Sequence, residues 1–150
     1  MMNHPFLHNY QLLIQPPARG QDKQGAGYFG APRGNRKHKG IDLSCYADSI
    51  ICALRPGTVT KIGYPYPADD PKKGHLRYVQ ITDDQNNDLR YFYVKPVVFI
   101  NTVVETGQPI GSSQQLSSIY PEITDHIHFE VKKNGKIIDP TNILTGGKHG

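Results

Sequence analysis

Tryptophan is missing from the 150 residues, cysteine occurs twice, and no apolar run is long enough to span a membrane. Two cysteines, Cys45 and Cys52, are too few for a disulfide scaffold, and their spacing fits no zinc knuckle. They flank the turn-like stretch CYADSIIC, where they could face each other across a hairpin, either bonded or as two reduced thiols. The opening MMNHPFLHNYQLLIQPPARG has no basic segment followed by about 7–15 uninterrupted apolar residues, so it does not read as a secretory signal. Neither an aromatic-and-glycine RNA-binding pattern nor a recognition helix is present, which argues against nucleic acid as a partner.

What is abundant is turn chemistry. There are 15 glycines and 12 prolines, with nine tyrosines and an apolar fraction of 37%. Short β-branched and aromatic runs follow one another: GIDLS, IICAL, GTVTKIGY, LRYVQIT, LRYFYV, QPIGS, HIHFEV and GKIID. Between them lie RPG, PYPADDPKKG, DDQNND, ETG and KKNG, all turn-forming, and only DPTNIL reads as a helical turn. The expectation is one all-β domain of two packed antiparallel sheets. Residues 1–24 read as an extension or lead-in strand, and 25–39 as a glycine- and arginine-rich loop. The net charge of +4 and a pI near 9.0 suit an anionic polymer, or simply a solvated basic surface.

The chemistry concentrates in DHIHFEV. In a strand, alternate side chains share a face, so His126 and His128 lie together while Ile127, Phe129 and Val131 point into the core. His38 and Asp42 lie in HKGID, where a glycine-rich loop enters a strand. Imidazole nitrogen and carboxylate oxygen are both good Zn²⁺ ligands. Two histidines and one aspartate would leave the fourth tetrahedral position open, the arrangement of a catalytic rather than a structural zinc. HxxxD and HxH are each common by chance, so the order of the surrounding segments carries more weight.

In that order, HKGIDL, ALRPGTVTKIG, YFYV, TGQPIG and HIHFEVKKNGKIIDP resemble the LytM/lysostaphin-type zinc metallopeptidases, which cut peptide cross-links of bacterial peptidoglycan. The resemblance runs from Gly25 to Leu144. It implies a compact two-sheet metallopeptidase domain over 25–145, with an extension over 1–24 and a tail over 146–150. It further implies one Zn²⁺ held by His38, Asp42 and His128, with His126 helping to activate water. One position departs. The family carries a second catalytic histidine in a Tyr-x-His-Leu stretch, and here Tyr93 of YFYV stands in its place. RYFYVKP, IYPEITDHIHFE and GYFGAPRGNRKHKGID look most similar to a subgroup resembling leukocyte cell-derived chemotaxin. In that subgroup a tyrosine occupies this place, zinc is bound and the protein acts chiefly as a receptor ligand. A phenol that stays neutral at pH 7 can still donate a hydrogen bond to an oxyanion. Two functions are therefore expected from different classes: a peptidoglycan endopeptidase using His126 and Tyr93, or a zinc-binding recognition module.

The low cysteine count disfavours a secreted vertebrate signalling protein. A bacterial or phage protein delivered to the envelope by a secretion system, with an immunity protein as partner, is the corresponding expectation. It would act in the periplasm, cell wall or outside the cell. Glu130, on the face of the two histidines, is expected to be a partly exposed carboxylate paired with lysine, or else an acceptor for a ligand imidazole. Asp125 is an equal candidate for that acceptor role. Arg33, Arg36 and Lys37 read as a solvated basic loop that could line the cleft mouth, and His75 as a surface residue. His8 or Asn9 could bring the N-terminal extension over the zinc.

Overall fold

The structure, a computed structural model, describes residues 21–22, 25–34 and 36–144. The N-terminal residues 1–20 and the tail 145–150, including His8, Asn9 and His149, lie outside the described residues.

Alternation decides the strands. Asn87–Phe92 reads buried then half-buried along its whole length, as a strand with one face on a core must. The larger sheet orders Val103–Val104 (β11), Gly57–Gly63 (β7), Tyr78–Thr82 (β8), Asn87–Phe92 (β9), His126–Lys133 (β13) and Lys136–Ile138 (β14). Ile41–Ser44 (β5) pairs the first half of β13, His126 opposite Ser44 through Phe129 opposite Ile41, and β14 pairs its end. A smaller sheet orders Val94–Pro96 (β10), Pro109–Ser113 (β12) and Ile50–Cys52 (β6). All pairings are antiparallel. One apolar cluster draws on both sheets, with Leu43, Ile81, Leu89, Tyr91, Ile127 and Phe129 from the larger and Val94, Ile51 and Ile110 from the smaller. The two-sheet expectation holds, and Thr141–Leu144 (α1) forms the expected helical turn.

Three readings are refined. CYADSIIC is not a hairpin, because β5 joins the larger sheet and β6 the smaller, and neither Cys45 nor Cys52 is in a disulfide. LRYFYV is not one strand but two, broken at Tyr93, where φ is +72°. The chain changes sheet there. Left-handed backbone is costly for a bulky residue and persists only where neighbours over-determine it. Here the Tyr93 N–H donates to the Arg77 carbonyl at 2.7 Å, and the Tyr93 carbonyl accepts from Gln114 N–H at 2.9 Å. Finally, the arginine-rich loop contains a hairpin, Pro32–Arg33 (β3) with Arg36–Lys37 (β4). Its connection begins at Gly34, whose φ of +63° suits a tight turn. A further pair, Gln21–Asp22 (β1) and Gly25–Ala26 (β2), precedes it.

Candidate metal centre and its groove

β13 and β5 are paired in register with His128 opposite Asp42, so the two side chains meet on one face. His38, just before β5, is set by the β3–β4 hairpin: its N–H donates to the Ala31 carbonyl at 2.7 Å. Close approach beneath His128 requires Gly40, where a Cβ would strike the Phe129 carbonyl and come within 3.0 Å of the His128 ring. The result is a triangle. His38 Nε2 lies 3.1 Å from Asp42 Oδ1 and 3.0 Å from His128 Nδ1, and His128 Nδ1 lies 3.1 Å from the same Asp42 oxygen.

The outer hydrogen bonds identify the bare nitrogens. His38 Nδ1 lies 2.9 Å from the Tyr28 carbonyl, an acceptor only, so Nδ1 carries the proton and Nε2 faces the triangle with its lone pair. His128 Nε2 lies 2.9 Å from Glu130 Oε1, so it too donates outward and leaves Nδ1 for the triangle. Two imidazole nitrogens and a carboxylate oxygen thus converge, a donor set that suits a cation, and a metal bound there would displace any proton shared between His128 Nδ1 and Asp42. Ligands about 2.0–2.1 Å from a tetrahedral zinc lie about 3.3 Å from one another, close to the spacing found. The donor set therefore fits Zn²⁺, and these three groups are the described ones able to hold a metal together.

Burial and partners pull the charges in opposite directions. Burial raises the Asp42 pKa, but hydrogen bonds with His128 and His38 and the nearby His126 outweigh it and hold the carboxyl far below its usual range. Burial disfavours a charged His128, yet its hydrogen bonds to Asp42 and Glu130 prevail and raise its pKa. Glu130, itself 6% exposed, is kept ionised against burial by His128 and Arg90, whose Nη1 lies 3.1 Å away. Its partners are thus a histidine and an arginine, not the lysine expected, because β13 and β9 place Glu130 opposite Arg90. Asp125 is used elsewhere, accepting the N–H groups of Leu116 and Ser117 at 2.8 and 2.9 Å.

His126 stands beside the triangle. Its Nδ1 donates to the Thr124 carbonyl at 2.7 Å, and Nε2 lies 3.4 Å from Asp42 Oδ2. Tyr93 meets His126 edge to face, ring centres 5.9 Å apart. Burial, followed by the neighbouring Tyr66, pushes the Tyr93 phenol well above its usual pKa. Its hydroxyl therefore stays a neutral donor, 3.5 Å from the Tyr66 hydroxyl. All five residues singled out from the sequence line one groove of about 560 Å³. Sequence reasoning missed Tyr66 and Tyr120, from the loops after β7 and β12, and the depth of Arg33. Arg33 Nη2 reaches within 3.7 Å of Asp42 Oδ2, with its side chain 21% exposed. Nothing in a loop sequence announces such a reach, although PRGNRK leading straight into His38 was the available hint. His75 is exposed.

A model of peptidase family M23 matches residues 36–140. The chain belongs to peptidase family M23. It is 28% identical to leukocyte cell-derived chemotaxin-2 of Mus musculus over 123 residues, covering 82% of this chain and 76% of that protein. It is 32% identical to myeloid protein 1 of Gallus gallus over 134 residues, 87% of this chain but 38% of that protein. The fold matches the catalytic domain of the antimicrobial peptidase lysostaphin from Staphylococcus simulans, with a TM-score of 0.66 and 21% identity. That match covers 91% of this chain and 98% of the lysostaphin domain. M23 is a zinc-dependent metallopeptidase family that includes cell-wall hydrolases. No helix among the described residues is long and apolar enough to cross a membrane.

Proposed function

We propose that this M23 domain is a zinc endopeptidase that hydrolyses peptide cross-links of peptidoglycan, acting in the periplasm, cell wall or outside the cell. The observation that carries the reading is the convergence of three metal-ready donor atoms with His126 and Tyr93 beside them in one groove. His38, Asp42 and His128 would hold Zn²⁺. When bound, it supplies Lewis acidity toward the scissile carbonyl and makes water acidic enough to attack near neutral pH. His126 has its Nδ1–H committed to the Thr124 carbonyl and turns Nε2, 3.4 Å from Asp42 Oδ2, toward the centre. That nitrogen takes the proton of the attacking water and returns it to the leaving amine. The Tyr93 hydroxyl donates a hydrogen bond to the tetrahedral oxyanion, in place of the imidazole that the resemblance leads one to expect. Glu130 holds His128 in the tautomer that presents Nδ1.

A second reading, a zinc-stabilised recognition module without hydrolysis, is favoured by the hydroxyl contact between Tyr93 and Tyr66 and by the likeness to chemotaxin-2. Purified peptidoglycan separates the two. The peptidase releases soluble cross-link fragments when zinc-loaded, stops on chelation and resumes with added zinc. Zinc-loaded protein that releases nothing from walls of several cross-link chemistries supports the recognition module instead.

A further inference from the structure

The groove is chemically uneven. The β3–β4 hairpin and its continuation into His38 contribute Arg33, Arg36, Lys37 and Lys39, whereas Tyr66, Tyr93 and Tyr120 are among its aromatic contributors. Four cationic side chains thus share the groove with two carboxylates, Asp42 and Glu130; Asp42 pairs with imidazoles and with Arg33, and Glu130 with His128 and Arg90. Arg33 and Arg36 are also directly opposite each other in the hairpin register. Like charges at facing positions of an antiparallel pair repel, and Asp42, 3.7 Å from Arg33, offsets part of that repulsion from the Arg33 side. An anion between them reverses the sign of that interaction. The arginine fork matches a carboxylate with two parallel N–H···O bonds.

We propose that the β3–β4 hairpin is a carboxylate clamp, in which Arg33 and Arg36 hold a free carboxylate of an acidic peptide lying in the groove. Arg33 lies within 3.7 Å of Asp42, so the clamped carboxylate sits close to the candidate metal centre. Under the peptidase reading, on which this consequence rests, the substrate class is a stem peptide bearing unamidated carboxylates. A neutral glycine bridge offers the hairpin nothing to grip. The clamp also fixes direction, because the hairpin flanks the centre on His38's side of the chain.

The test compares two fluorescein-labelled tetrapeptides, Ala-Glu-Lys-Ala with both carboxylates free and Ala-Gln-Lys-Ala with a C-terminal amide, by anisotropy on the zinc-loaded full chain. The carboxylate peptide should bind about tenfold more tightly, the scale of one charge-assisted bidentate pair. The preference should shrink as salt rises. Arg36→Gln should reduce it toward one, with thermal melting recorded to establish folding. Arg33→Lys, which keeps the charge and loses the fork, should reduce it in part. Equal binding of the two peptides by the wild type overturns the clamp. So does a preference that survives in an Arg33→Gln/Arg36→Gln variant that melts like wild type. Hydrolysis of peptidoglycan with free or amidated stem carboxylates is measured alongside. A binding preference without any cleavage leaves the clamp standing and removes the peptidase reading, whereas cleavage without a preference does the reverse.

Discussion

The two faces of β13 are both removed from solvent, yet they are held for opposite reasons. Ile127, Phe129 and Val131 are fully buried and touch apolar neighbours, Phe129 lying 5.1 Å from Tyr91 ring to ring. His126 and Glu130 are 4% and 6% exposed, and each polar atom that faces inward meets another functional group rather than a hydrocarbon. Burial alone therefore does not separate core from site. What separates them is whether the buried atoms satisfy one another or leave lone pairs aimed at a common point. β5 repeats the contrast within four residues. Asp42 stays ionised because imidazoles surround it, while burial pushes the thiol of Cys45, the residue just past the strand, up to about 11.

The contrast breaks most severely on the apolar face. Phe129→Ala should cost about 3–5 kcal/mol, since a large ring leaves a cavity in the shared core. Denaturant unfolding should show it, and saturating zinc should recover only a part. Next comes Tyr93→Phe, which keeps the ring and its edge-to-face contact with His126 while deleting one donor. Under the peptidase reading kcat should fall by up to about 10²–10³ with little change in KM or zinc content. An unchanged kcat would remove Tyr93 from the oxyanion. Glu130→Gln is gentler: the fold survives and zinc affinity drops about 10–100-fold, measured by competition with a chromogenic chelator. The smallest effect concerns the thiols. With burial pushing Cys45 and Cys52 each to about 11, the thiolate is scarce at pH 8. Iodoacetamide should react slowly with the folded chain, faster as the pH climbs toward 11, and rapidly in guanidinium.

How much of this could be read in advance follows from the range of each interaction. The alternation in DHIHFEV is local, and it separated the two faces of β13 correctly. HKGID placed His38 and Asp42 at a strand entrance by the same kind of short-range pattern. Long-range register was not legible: nothing near Glu130 in sequence announces Arg90, which faces it only because β13 pairs with β9. The break at Tyr93 was hidden for a similar reason. An aromatic run reads as continuous strand until the Arg77 carbonyl and the Gln114 N–H seize its backbone from other loops. Arg33 looked like a solvated cation because its reach to Asp42 depends on how the hairpin folds back. Delivery to the envelope and an immunity partner were inferred from what the sequence lacks, and no feature of the fold bears on them.

The central claim is that two histidines on one strand face do different work, His128 for the metal and His126 for the proton. Zinc content and fragment release from purified peptidoglycan, measured together for wild type, His126→Ala and His128→Ala, test it directly. His126→Ala should retain zinc and lose cleavage, while His128→Ala should lose both. Cleavage by His126→Ala at the wild-type rate, or loss of its zinc, would contradict the account.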